Sequence, residues 1–202
     1  FMEILMNAFF SYQDPETMVG SFLSGGYINN HHNPFNKNIE QGQAISQSLD
    51  LFIENHPVCQ EALLRLAPKA RKYGNRILRL YYDHLLARNW ANYSEVDYTT
   101  FCEMILGVLK THNHLFPYKP KRVVNRVVRK KLITSLSTLN GLNEYIQEMT
   151  RYNSYNSIVQ ESIGDLAKYY DTFNREFNLI FPQMEKEFLV KEKKTELLVL
   201  AS

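Results

Sequence analysis

Apolar residues recur along this chain at intervals of three and four, and almost nowhere in strict alternation. That period predicts helices from end to end. Asp14 followed by Pro15 reads as an N-cap with proline at the first helical position, opening a helix that "SGG" stops near Ser24. "GGYINNHHNPFNKN" (25–38) is rich in Gly, Asn and Pro and reads as a loop. A second helix is expected over about 39–54, ending before "NHP", and a short one over about 57–66. The next, about 69–90, is long, and its Ile77, Leu80, Tyr81 and His84 follow the i, i+3, i+4, i+7 rule. Further helices are expected at 95–113, 120–136, 139–151 and 157–190, with Ser94 and Asp97 resembling a capping box for the first of these. The fold class this predicts is all-α, a single helical domain of seven to nine helices over residues 1–190, followed by a tail over 191–202.

Composition agrees with a folded helical domain. Of 202 residues, 45% are hydrophobic and 22% charged, enough to build one core without the signature of disorder. The two cysteines, Cys59 and Cys102, are far apart, which argues against a disulfide scaffold or a zinc knuckle and fits a reducing cytoplasm. "FMEILMNAFF" is apolar but lacks a basic flank and a small-residue cleavage site, so it is expected to join the fold. No run is apolar for long enough to predict a membrane span.

Charge changes the picture in one place. The net charge is +2, yet "KPKRVVNRVVRKK" (119–131) holds seven basic residues and no acid, leaving 16 basic and 21 acidic residues elsewhere. One positive surface on a mildly acidic body points to an anionic partner. Lys121, Arg122, Arg126, Arg129 and Lys130 are the candidate contacts, and an acidic helical protein is the candidate partner. The competing reading is the solvated face of an amphipathic helix whose Val123, Val124, Val127 and Val128 face inward. Nucleic acid is disfavoured, because no helix-turn-helix or aromatic stacking pattern accompanies the charge.

The chemistry-bearing stretch is "YYDHLLARNW" (81–90), where Asp83 and His84 interrupt an apolar and aromatic run. Such residues are costly to bury without partners. They are either half of a metal site or polar core residues that have found hydrogen bonds. Neighbours on a helix point about 100° apart, so a metal would need ligands from another helix, and Asp50 is the candidate there, with Ser46 one turn before it. Carboxylate and imidazole together suit Mn, Fe or Mg. His31 and His32, in the Asn-rich loop, read as surface histidines. Neither a Gly-rich phosphate loop nor a nucleophile elbow is present.

Five segments occur in a familiar order: "GSFLSGG", "DLFIENHPV", "KYGNRILRLYYDHLLARNW", "STLNGL" and "DLAKYYDTFNREFNLIFPQM". Over about residues 2–185 the chain resembles the acyl carrier protein phosphodiesterase family. The resemblance implies an all-α fold related to metal-dependent HD-type phosphohydrolases. It implies removal of the 4′-phosphopantetheine arm from holo acyl carrier protein, with Mn, or Mg or Fe, as the metal. Asp50, Asp83 and His84 match the family pattern and are the implied catalytic residues and metal ligands. Elsewhere the pattern is lost. Asn7 stands where the family has His, Gly25 where it has Asp, Ser46 where it has His, and Arg79 where it has the first Asp of D-x-x-x-D-H. The family's acid before the H-P step is kept as Glu54, and its later tryptophan falls near Leu132.

Serine is a poor substitute for imidazole as a ligand, glycine brings no side chain, and arginine puts a permanent cation where a ligand stood. The metal is therefore expected to be absent or weakly bound. Arg79, one turn before Asp83, is expected to supply the positive charge instead, neutralising Asp83 and also Asp50. Two functions stay open: an impaired or inactive homologue that binds acyl carrier protein or another acidic partner, and an active phosphodiesterase with a reduced ligand set.

Overall fold

A computed structural model describes residues 3–12, 14–23, 36–151 and 156–200, without the side chains of 156 and 190–200. Gly25, His31 and His32 lie outside the described residues. Ten α-helices and no strands occur among the described residues: α1 Leu5–Ser11, α2 Pro15–Phe22, α3 Lys37–Asn55, α4 Pro57–Leu64, α5 Gly74–Arg88, α6 Tyr98–Thr111, α7 Tyr118–Lys130, α8 Leu139–Thr150, α9 Asn156–Lys168 and α10 Tyr170–Leu200. The fold is all-α.

The layout follows from which helices are buried on one side and which are buried all round. In α5 every residue from Ile77 to Ala87 is buried, and in α1 every residue is. A helix without a polar face belongs in the middle. These two therefore form the centre, and α5 packs against α1, α3, α4, α8, α9 and α10. Aromatic rings seal the join with α10: Phe9 and Phe10 meet Phe181, Tyr81 meets Phe173, and Tyr82 meets Phe177.

Helix starts carry the expected chemistry. Asp14 accepts from the Thr17 amide at 2.6 Å, and Asn36 caps α3. For α6 the cap is Asp97 itself, accepting from Thr100, so Ser94 lies outside the helix that it was expected to open. Two expected helices are split. The stretch 120–136 breaks because Lys131 takes a left-handed conformation (φ 50°), ending α7 before a 3₁₀ turn over Leu132–Ser135. The stretch 157–190 breaks at Tyr169, between α9 and α10, and α10 then runs on through the expected tail to Leu200.

Helices α2 and α3 cross at two glycines. A Cβ on Gly20 would stand 2.1 Å from the Ile39 carbonyl oxygen, and one on Gly42 1.9 Å from that of Thr17. Both obstacles are backbone, so neither helix can yield locally. Gly42→Ala is expected to cost about 3 kcal/mol, at the upper end for overpacking. Urea unfolding of that variant is the check, and an unchanged midpoint would contradict the close crossing. The crossing brings Ser21 of α2 and Ser46 of α3 to the same buried place beside α1.

Candidate functional site

Four of the candidate residues meet where α1, α3 and α5 pack together. Arg79 is 2% exposed, an unusual burial for a guanidinium. Its Nη1 donates to Asp50 Oδ1 at 2.5 Å, and its Nη2 donates to Asn7 Oδ1 at 2.5 Å. Asn7 in turn donates from Nδ2 to the Ser21 carbonyl at 2.8 Å and, at 3.4 Å, to Ser46 Oγ. The arginine thus reaches from the core to a carboxylate that is 53% exposed. Its Nε is buried and has no hydrogen-bond partner among the described residues. Burial works against the charged form, but Glu3, Asp50 and Asp83 together hold the guanidinium pKa above its ordinary value.

Asp83 does something else. Its side chain accepts three backbone N–H groups at the start of α1: Ile4 at 3.0 Å and Leu5 at 3.3 Å on Oδ2, and Met6 at 2.8 Å on Oδ1. Helix α1 has no side-chain cap of its own, so α5 supplies one from 77–79 residues away. An anion there also faces the positive end of the helix. Burial pushes the Asp83 carboxyl up to about 7, with the Met6 and Leu5 amides and Arg79 pulling it down and buried Glu3 pushing it further up. The contact expected between Arg79 and Asp83 is therefore corrected. The guanidinium makes its ion pair with Asp50, and Asp83 binds backbone, because the unsatisfied amides of α1 lie closer to hand.

His84 is 1% exposed and uses both ring nitrogens. The Leu136 carbonyl accepts from Nδ1 at 2.6 Å, and the Tyr170 hydroxyl lies 2.9 Å from Nε2. A neutral ring satisfies both, with Nδ1–H donating and Nε2 accepting from the tyrosine. Burial lowers the pKa of His84 below 6.5, and Arg88 adds to the lowering. The unfolded chain then takes up this proton before the folded one does. His84 stabilises the fold fully above about pH 6.5, and that contribution is lost as pH falls through 6.5 toward the lower folded value. Melting temperatures between pH 8 and pH 5 should fall more steeply for the wild type than for His84→Gln. Parallel curves would contradict a buried neutral imidazole. Asp83 acts in the opposite sense: its raised pKa lets stability decline as pH rises from its ordinary value toward about 7.

The donors expected to hold a metal are thus engaged: both Asp83 oxygens on amides, both His84 nitrogens, and the Asp50 oxygen nearest Arg79 on a guanidinium. Among the described residues no three His, Cys, Asp or Glu side chains cluster closely enough to share a metal ion. This donor set does not fit a divalent cation. Asp83 and His84 are 0% and 1% exposed, so neither lines an open groove. An open depression of about 410 Å³ lies instead at the α3–α4 junction, lined by Leu51, Phe52, Asn55 and His56 among others, and it includes none of Arg79, Asp83 or His84. Glu54 is exposed, and Leu132 is buried.

Sequence reasoning missed Glu3, which is 8% exposed and adds a second buried acid next to Arg79 and Asp83. A lone acid inside "FMEILMN" was the available signal. It also missed Glu148, a buried carboxylate on α8 that gathers Arg126, Lys130 and Arg151. Those cations hold its pKa below the usual range despite burial. In α7, Val124 and Val127 are buried while Val123 and Val128 are half-buried. Two of the five candidate partner contacts, Arg126 and Lys130, thus bind within the fold.

Comparison with known proteins places this all-helical chain in a family. Residues 2–184 match the family described as acyl carrier protein phosphodiesterase, and the chain belongs to that family. One curated relative, the acyl carrier protein phosphodiesterase of Enterobacter sp. (strain 638), is 21% identical over 191 residues, covering 91% of this chain and 95% of the relative. No solved structure matches. None of the helices among the described residues is long and apolar enough to cross a membrane.

Proposed function

We propose that this chain is a non-hydrolysing member of the acyl carrier protein phosphodiesterase family that keeps the ability to bind the carrier protein. One observation carries the reading: the guanidinium of Arg79 is bonded between Asp50 and Asn7, with Asp83 committed to the amides of α1. The family reaction needs a Lewis acid to polarise the phosphodiester and to lower the pKa of the attacking water. A guanidinium stabilises negative charge but cannot bind and deprotonate water, since it has donors only and does not titrate in the working range. With Nη1 on Asp50 and Nη2 on Asn7, Arg79 is a structural cation. The carrier protein enters through the family and through the basic helix α7.

The direct test is incubation of the purified protein with holo acyl carrier protein and Mn, followed by mass spectrometry of the carrier. The carrier mass is expected to stay unchanged while the two proteins associate at low salt. Release of the phosphopantetheine arm would overturn the non-hydrolysing reading, and failure to associate at low salt would overturn the binding one.

A further inference from the structure

Helix α7 divides its cations between two tasks. Arg126 and Lys130 turn toward Glu148, and Lys131 pairs with Glu103 at 2.8 Å. Lys119, Lys121 and Arg129 have no carboxylate partner among the described residues. Arg122 lies over the Tyr118 ring, 5.9 Å from its centroid. Pro120, Val124 and Val127 are buried, so the outward face is fixed. It presents Tyr118, Arg122, Asn125 and Arg129 in an i, i+4, i+7, i+11 stripe, all exposed, with Lys119 beside it. Tyr118 is 74% exposed, the highest value among the large apolar side chains of the described residues.

We infer that this Tyr118–Arg122–Arg129 stripe, and not Arg126 or Lys130, is the docking surface for an acidic helix of the carrier protein; the inference rests on the carrier-binding reading given above. Charge complementarity selects the partner. Arg122 and Arg129 stand about two helical turns, or about 10 Å, apart with no acid between them along α7, which matches an acidic helix laid alongside. Arg126 and Lys130 are already partly neutralised by Glu148. Their removal weakens the α7–α8 contact more than it weakens a partner. Cations on an exposed rim chiefly raise the association rate and are screened by salt.

The test compares wild type, the double variant Arg122→Glu with Arg129→Glu, and Lys130→Gln, each as the full chain with its melting temperature recorded. Binding to holo acyl carrier protein is measured at low and high salt, with a short DNA duplex as the competing polyanion. The double variant is expected to lose at least about tenfold in carrier affinity at low salt with an unchanged melting temperature, while Lys130→Gln changes affinity by less than about threefold. Equal carrier binding by the double variant and wild type overturns the stripe and leaves the carrier-binding reading standing. Absence of carrier binding by wild type overturns both. Tighter binding to the duplex than to the carrier, through the same two arginines, overturns the acidic helix as the occupant.

Discussion

Arg79→Ala is expected to lower stability by about 3–5 kcal/mol, because it removes a buried charge whose partners stay behind. The magnitude follows from what the substitution strands. Asn7 loses the donor to its side-chain oxygen, and the buried carboxyl groups of Glu3 and Asp83 lose the cation that offsets them. Asp50, by contrast, is half in water and is rehydrated at little cost. Asp50→Asn should therefore cost less than about 1 kcal/mol, as for an exposed ion pair. The asymmetry is the signature: one partner of the same 2.5 Å bond matters several times more than the other. Urea unfolding of both variants measures it. Equal and small effects would mean that the guanidinium is dispensable in the core.

Asp83→Ala should be comparably damaging, at about 3–5 kcal/mol, since it leaves up to three buried backbone N–H groups without an acceptor. Asp83→Asn is expected to recover roughly half of that loss, because the amide oxygen still accepts but the amide nitrogen faces a donor. A catalytic or metal-ligating aspartate gives the opposite pattern, in which its removal relieves repulsion and leaves the fold as stable or more so. The direction of the stability change thus separates the two roles of Asp83 without an activity assay.

The helical class and the family were legible in the sequence because both are written in local pattern: a period of 3.6, caps such as Asp14 and Asp97, and runs such as "YYDHLLARNW". The burial of His84 followed from its place on the apolar stripe. What could not be read was where polar groups would find partners across the chain. Arg79 and Asp83 are one turn apart, and sequence spacing favoured a pair between them. Only the docking of α1 against α5 shows that backbone amides win Asp83 and that Asp50 wins Arg79. The α2–α3 crossing was hidden for the same reason. Gly20 and Gly42 look like permissive residues until the facing carbonyl oxygens are in place. The split after α7 depends on Lys131 adopting a left-handed conformation that a glycine would have advertised.

The first turn of a helix that lacks a side-chain cap of its own ordinarily frays, and its amide protons exchange quickly with solvent. Here the amides of Ile4, Leu5 and Met6 are held by a side chain from the central helix. They can open only when α1 and α5 separate, so they should exchange as slowly as amides in the middle of α5. It follows that α1 gains its full protection only after the chain has folded as far as Asp83. Helix α1 is then locked no earlier than α5 docks on it, and deuterium uptake during refolding would record that order.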